Sequence, residues 1–266
     1  MALPLSPYLA RWSLTPTGPA LQTGNASLQP VLYQGQPAML KLAKAAEEQA
    51  GYDLLQWWQG QGAVQVLARD GAVLLMERVT GPQSLAQLSQ SGQDDEACRI
   101  ACRVVAQLHA ARSEPPPALV PLHERFAALR QLNAPVNSVL HQAQQAMHAL
   151  LAQPQPAVCL HGDVHHHNIL DAGARGWLAI DPKGLWGERG FDYANLFCNP
   201  DAATACNPAH FQARLDMVAT QAQLPPQRLL QWILAWAGLS AIWHQEDGTS
   251  PTIALQVAQL ASQALG

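Results

Sequence analysis

The hydrophobic pattern of this chain changes period near residue 80, and that change limits the possible folds more than any other feature. Before it, short apolar runs alternate with turn signals. Residues 29–33 and 37–42 flank Gln34-Gly35-Gln36, and residues 63–68 and 72–76 flank Arg69-Asp70-Gly71. A Gly-containing turn between two such runs reads as a β-hairpin, Asp-Gly most strongly. Between the hairpins, residues 45–59 are rich in Ala, Leu, Glu and Gln, and positions 47, 51, 54 and 58 share one helical face. After Thr80-Gly81-Pro82 the pattern becomes helical. Ala97, Ile100, Ala101, Val104, Val105 and Leu108 form one stripe, and Glu114-Pro115-Pro116-Pro117 ends that helix. Residues 122–152 and 208–264 are also mainly helical, with two strand-like runs inside residues 157–200. The fold expected is α+β and two-lobed: a small antiparallel-sheet lobe with one helix over residues 1–80, and a larger, mostly helical lobe over residues 81–266.

Composition narrows the function classes. With 266 residues the chain can bury a substantial core. The net charge is −4 with no basic run, which argues against a nucleic-acid partner. The five cysteines are odd in number and irregularly spaced, so they read as plain thiols rather than a disulfide framework. The most apolar stretch, residues 229–243, is too short to span a bilayer and reads as a buried helix. Residues 1–7 lack the charged and apolar regions of a signal peptide, so the expected location is cytoplasmic. No membrane and no protein partner is implied. Trp57, Trp58, Trp232 and Trp236 are expected in the core.

The chemistry is concentrated in one stretch. His161-Gly162-Asp163-Val164-His165-His166-His167-Asn168 follows the apolar run 157–160, and Asp181 lies thirteen residues beyond Asn168. Transfer of a phosphoryl group to a hydroxyl needs these residue types. A carboxylate such as Asp163 can orient the hydroxyl and take its proton. Asn168 and Asp181 can offer the hard oxygen ligands that Mg²⁺ prefers, and positioning with electrostatics does the rest. Taken singly, Asp163 and Asn168 read equally well as a helix cap and a turn residue. The histidine cluster raises zinc as an alternative, although neither its spacing nor any further His or Cys matches a structural zinc site.

These motifs resemble the catalytic and metal-binding loops of the aminoglycoside phosphotransferases, bilobal relatives of the protein kinases. Ile180-Asp181-Pro182-Lys183-Gly184, with Gly187-Glu188 and Phe191-Asp192-Tyr193-Ala194-Asn195, is similar to the streptomycin kinase and hydroxyurea kinase branch. The resemblance implies a protein-kinase-like fold, ATP and Mg²⁺ as cofactors, and a small hydroxyl-bearing acceptor such as a streptomycin-type aminoglycoside or hydroxyurea. It implies Asp163 as catalytic base and Asn168 and Asp181 as metal ligands. Lys41 takes the place of the lysine that grips the α- and β-phosphates, partnered by Glu47 or Glu48. Glu77 and Val79 mark the hinge that meets adenine. Residues 21–27, Ser27 included, stand where a glycine-rich loop covers the phosphates, with only Gly24 remaining. Asp192 matches a further family aspartate, and its role reads as structural. A metabolite kinase of the same fold, or a nucleotide-binding module without turnover, are the alternatives.

Glu246 and Asp247 form an acidic pair close to Trp243. They would offer charge and a π face to an ammonium or guanidinium acceptor, or form an ordinary solvated helix end.

Overall fold

The computed structural model describes residues 5–44 and 48–266. A short helix α1 (Ser6–Arg11) precedes a sheet built from β1 (Thr15–Pro16), β2 (Leu21–Gln22), β3 (Ala26–Tyr33), β4 (Gln36–Ala43), β5 (Val66–Asp70) and β6 (Val73–Glu77), with α2 (Glu48–Trp58) between β4 and β5. The strand order is β1-β3-β4-β6-β5, all pairings are antiparallel, and β2 also pairs with β3. Gln34 and Gly35, both at positive φ, form the two-residue turn between β3 and β4, which pair from Tyr33↔Gln36 to Ala26↔Ala43. Left-handed geometry at both central positions matches the strand twist and sets the register.

Alternation along β4 decides what this sheet presents. Leu40 and Leu42 join Val31, Val73 and Leu75 in a small core that Leu9 and Trp12 of the α1 region help cover. Lys41 therefore lies on the opposite face, with its β3 partner Leu28 and its β6 partner Leu74.

The first half of the second expected hairpin is displaced. Residues 62–64 leave the sheet: Ala179 N–H donates to Gly62 O at 2.9 Å, and Val64 N–H to Ala179 O at 3.0 Å. Only from Gln65, whose carbonyl accepts from Glu77 N–H at 3.0 Å, does the chain pair with β6. Hydrophobic alternation does not reveal which neighbour will take a strand's hydrogen bonds, and here a distant segment takes them.

The larger lobe follows. It contains α3 (Leu85–Gln90), α4 (Asp94–Leu108), β7 (Val120–Pro121), α5 (Leu122–Arg125), α6 (Ala127–Gln131), α7 (Val139–Ala152), β8 (Ala157–Leu160), β9 (Ile169–Asp171), β10 (Trp177–Ala179), β11 (Leu185–Glu188), α8 (Phe191–Ala194), α9 (Ala202–Ala205), α10 (Pro208–Ala222), α11 (Pro226–Glu246) and α12 (Thr252–Leu265). The mainly helical stretch 122–152 is made of three helices. Helix α11 runs through the centre, buried on most faces, and packs against α7, α8 and α12. The apolar stretch 229–243 lies within it, and no helix among the described residues is long and apolar enough to cross a membrane. Trp232 and Trp236 pack edge-on against Phe191.

The strands of this lobe position the chemistry. β11 pairs with β7 and β8, while β9 and β10 form a separate antiparallel pair. Asp163 follows β8, Asn168 immediately precedes β9 and Asp181 follows β10. Asp163 is therefore a loop residue rather than a helix cap.

Candidate active site

The loop after β8 is held from beneath. His161 is completely buried. Its Nδ1 accepts from Asp163 N–H at 3.2 Å, so the proton sits on Nε2, which donates to Ile180 O at 2.8 Å. Burial pushes the His161 pKa down, which favours this neutral ring. Asp192, 1% exposed, accepts from the backbone N–H of His161 at 2.9 Å and of Gly162 at 2.7 Å, with His109 Nε2 also 2.8 Å from its carboxylate. Both residues shape the loop without entering the cleft. With both ring nitrogens of His161 engaged, the histidine cluster does not converge. Among the described residues no group of three or more His, Cys, Asp or Glu side chains is placed to hold a metal ion.

Asp163 projects into the cleft. Its Oδ1 accepts from Asn195 Nδ2 at 2.9 Å, while Oδ2 lies 3.4 Å from Asn168 Nδ2 and 4.0 Å from His165 Nε2. Asn168 also donates to the Asp163 backbone carbonyl at 2.9 Å, and its Oδ1 has no protein donor among the described residues.

Four charged side chains close the other side. Lys41, 5% exposed, is bonded to Glu48 at 2.7 Å and to Asp181; Lys183 lies 3.1 Å from Asp181 and 3.3 Å from Glu48. Glu48 thus makes the ion pair with Lys41, and Glu47 lies outside the described residues. Burial works against the charge on Lys41, yet Asp181 and Glu48 more than offset it and raise its pKa. Burial likewise opposes ionisation of Asp181, but Lys41 and Lys183 hold its carboxyl down to about 2, from an ordinary 3.8. A carboxyl depressed by folding stabilises the fold above its unfolded-state pKa, and that contribution is lost as pH falls from about 4 through about 2. The Tm gap between the wild type and Asp181→Asn is expected to be steady near neutrality and to shrink across that window. A gap independent of pH down to about 2 would show that the network contributes nothing through the Asp181 charge.

The Asp181 backbone is itself unusual, with φ of 59° on a non-glycine residue. Such conformations persist only where the surroundings enforce them, and they cluster at functional sites. Here Ile180 N–H donates to Asn168 O at 2.9 Å and Lys183 N–H to His161 O at 2.6 Å. Helix α2 presses against the same segment. A Cβ on Gly51 would lie 1.9 Å from Pro182 O, and one on Gly184 would lie 2.4 Å from the Ala50 backbone.

The remaining sequence candidates divide. Glu77 N–H donates to Gln65 O, and its side chain bonds Gln65 N–H and Arg175, whereas Val79 N–H has no partner among the described residues. Neither residue lines the cleft, which their neighbour Met76 does. Ser27 does not face the cleft: Ala26 and Leu28 do, and strand alternation turns Ser27 away, where its hydroxyl donates to Gln22 at 2.7 Å. The loop before it is a tight turn in which Thr23 Oγ1 accepts from Ala26 N–H at 3.0 Å. Glu246 and Asp247 are exposed at the end of α11 and do not line the cleft.

Other residues stand where that acidic pair was expected. Asn195, Trp236, Ser240, Trp243 and Arg125 line the cleft beside Asp163, and Arg125 stacks on Trp243 at 4.2 Å from the ring centroid. Positions 236, 240 and 243 form one helical stripe; the sequence offers Trp243 as a π face for an acceptor but reads Trp236 as core packing. The whole cleft encloses about 540 Å³, within the range of small-molecule sites.

Comparison with known proteins agrees with this geometry. Residues 11–248 match the sequence profile of the aminoglycoside/hydroxyurea antibiotic resistance kinases. The chain is a member of that family. This kinase is 51% identical over 245 residues to the streptomycin 3''-kinase of Klebsiella pneumoniae, covering 90% of this chain and 92% of that one. It is 32% identical over 265 residues to the streptomycin 6-kinase of Streptomyces griseus, covering 93% and 84%. Its fold is that of the protein-kinase-like aminoglycoside phosphotransferases: the crystal structure of aminoglycoside phosphotransferase APH(4)-Ia superposes with a TM-score of 0.71 over 98% of both chains, at 13% identity. The bilobal kinase is therefore a phosphotransferase acting on a hydroxyl of a small molecule.

Proposed function

We propose that this kinase transfers the γ-phosphate of ATP to the 3''-hydroxyl of streptomycin in the cytoplasm, with the nucleotide held between an N-lobe of residues 1–80 and a C-lobe of residues 81–266. The observation that carries this reading is the likeness to the streptomycin 3''-kinase, which extends through both lobes. Lys41, steadied by Glu48, holds the α- and β-phosphates. The turn at Thr23–Ala26 covers them, and the backbone near Glu77 and Val79 meets adenine. The acceptor lies against Trp236, Ser240, Trp243 and Arg125, with its hydroxyl at Asp163 Oδ2. As the acceptor's hydroxyl oxygen attacks the γ-phosphorus, its proton passes to Asp163 and the bond from the γ-phosphorus to the bridging oxygen breaks, releasing ADP.

The donor set suits Mg²⁺, which typically uses one or two protein oxygens together with substrate phosphates and water. Asn168 Oδ1, without a protein donor among the described residues, and the Asp181 carboxylate would be those oxygens, the ion sharing Asp181 with the Lys41 and Lys183 ammonium groups. When bound, Mg²⁺ supplies neutralisation of the triphosphate charge. Streptomycin is expected to stimulate ADP release from ATP, with the product phosphorylated at the 3''-position by NMR. Turnover on hydroxyurea or a common metabolite but not on streptomycin would overturn the acceptor. Thermal stabilisation by MgATP without ADP release for any acceptor would overturn the enzyme reading.

A further inference from the structure

Among the described residues, the cleft amide that contacts the Asp163 carboxylate squarely is Asn195, just beyond α8. Its Nδ2 donates to Asp163 Oδ1 at 2.9 Å. Its own Oδ1 accepts from the Trp236 indole Nε1–H at 3.1 Å and from Asn199 Nδ2 at 3.1 Å. The Asn199 amide is in turn oriented by donating to the Asn195 backbone carbonyl at 2.9 Å. An indole nitrogen can only donate. Flipping the Asn195 amide would set its NH₂ against two donors and its oxygen against a carboxylate oxygen, so the orientation is dictated by its neighbours. Asp163 Oδ1 is thereby committed, whereas among the described residues Oδ2 has only the long 3.4 Å approach of Asn168 and the His165 ring nitrogen 4.0 Å away.

We infer that Asn195 is a positioning residue for phosphoryl transfer: it holds one oxygen of Asp163 and leaves the other to receive the acceptor's proton, while Trp236 and Asn199 hold Asn195. The inference rests on the assignment of Asp163 as the base. It explains why an asparagine at this position serves where an aspartate would not, since only the amide offers a donor to Asp163 and an acceptor to the indole together. It also gives Trp236 a role that its place in the aromatic core conceals.

The test uses the full chain with MgATP and streptomycin. Asn195→Ala is expected to lower kcat about 10- to 100-fold, the scale of a hydrogen bond to a charged group, with KM for both substrates and Tm near the wild type. Asn195→Asp, similar in size but with a carboxylate facing Asp163, loses at least as much. Trp236→Phe removes the indole N–H together with part of the ring that lines the acceptor side; the lost ring contact is read in the acceptor KM, and the lost N–H gives a smaller fall in kcat. The double variant Asn195→Ala/Trp236→Phe is no slower than Asn195→Ala, because the indole acts through the amide. The inference is overturned if Asn195→Ala or Asn195→Asp keeps the wild-type kcat, if the loss appears in KM alone, or if the two single effects multiply. Asp163→Ala is measured in parallel: if it retains turnover, the base assignment fails and this inference falls with it, and if it is inactive while Asn195→Ala is normal, only the inference fails.

Discussion

Replacing Asp163 by alanine is expected to lower kcat about 10²–10⁴-fold, the usual contribution of a positioned base, while nucleotide affinity stays unchanged. The two effects separate because Asp163 makes no bond to Lys41, and its short bond to Asn168 runs through the backbone carbonyl, which alanine keeps. Lys41, Glu48, Lys183 and Asp181 form their own network of ion pairs, and Asp163 is tied instead to Asn195 and Asn168. The residual rate measures what remains: in-line placement of two substrates and electrostatic stabilisation of the transferring group, which carry most of phosphoryl-transfer catalysis. Single-turnover kinetics with saturating ATP, together with calorimetric nucleotide titration, separates the terms. Wild-type turnover in Asp163→Ala would remove it from the chemistry.

Gly51→Ala should be the most damaging small change outside the reacting groups. Inside a helix such as α2, alanine is ordinarily better than glycine by about 1 kcal/mol, so helix propensity alone predicts a gain. Sterics decide otherwise. The new Cβ would sit 1.9 Å from Pro182 O and 2.9 Å from Pro182 C, and both are backbone atoms that cannot rotate aside. Either α2 or the Asp181–Gly184 segment must shift by more than an ångström. Overpacking of this kind typically costs about 1–3 kcal/mol. A displacement of that size at a catalytic constellation costs about 10²-fold in rate. The shift also parts Glu48, at the start of α2, from Lys41 and Lys183. Chemical denaturation and kcat for the purified variant test both halves, and a protein that is both more stable and fully active would show that the contact is dispensable.

Much of the site was readable along the chain because its parts are local. Asp163, Asn168 and Asp181 lie within nineteen residues of one another, on loops bounded by strands whose apolar runs are short and distinct. Lys41 was read from its likeness to the family's phosphate-gripping lysine; the structure supplies the physical reason, since alternation in β4 puts Leu40 and Leu42 on one face and the lysine between them on the other. The same rule, applied one strand earlier, turns Ser27 away from the cleft. Its register against Leu42 depends on the hairpin pairing and not on its own neighbours.

Glu246 and Asp247 mark where reading along the chain stopped working. Charge beside an aromatic is a reasonable signal for a cationic ligand, yet these residues lie past the last turn of α11 that faces the cleft, and they point to solvent. The acceptor wall is built instead from Trp236, Ser240, Trp243 and Arg125, the last contributed by a helix more than a hundred residues earlier. Nothing local to Arg125 announces that it will stack on Trp243.

The sequence by itself determined the two-part architecture and the reaction class, and it named Lys41, Asp163, Asn168 and Asp181, which the fold brings together at one cleft. Period and turn chemistry act over a few residues, and the catalytic types must sit at short, fixed spacings on one loop system. The tertiary structure alone decided that Glu48 pairs with Lys41, that Lys183 shares Asp181 with it, that α2 rests on Pro182 through Gly51, and that Asn195 holds Asp163 while Trp236 holds Asn195. Apart from the short step from Lys41 to Glu48, each of these depends on the packing of separate elements, and the pattern along a single strand or helix does not encode the distance or angle at which it meets another.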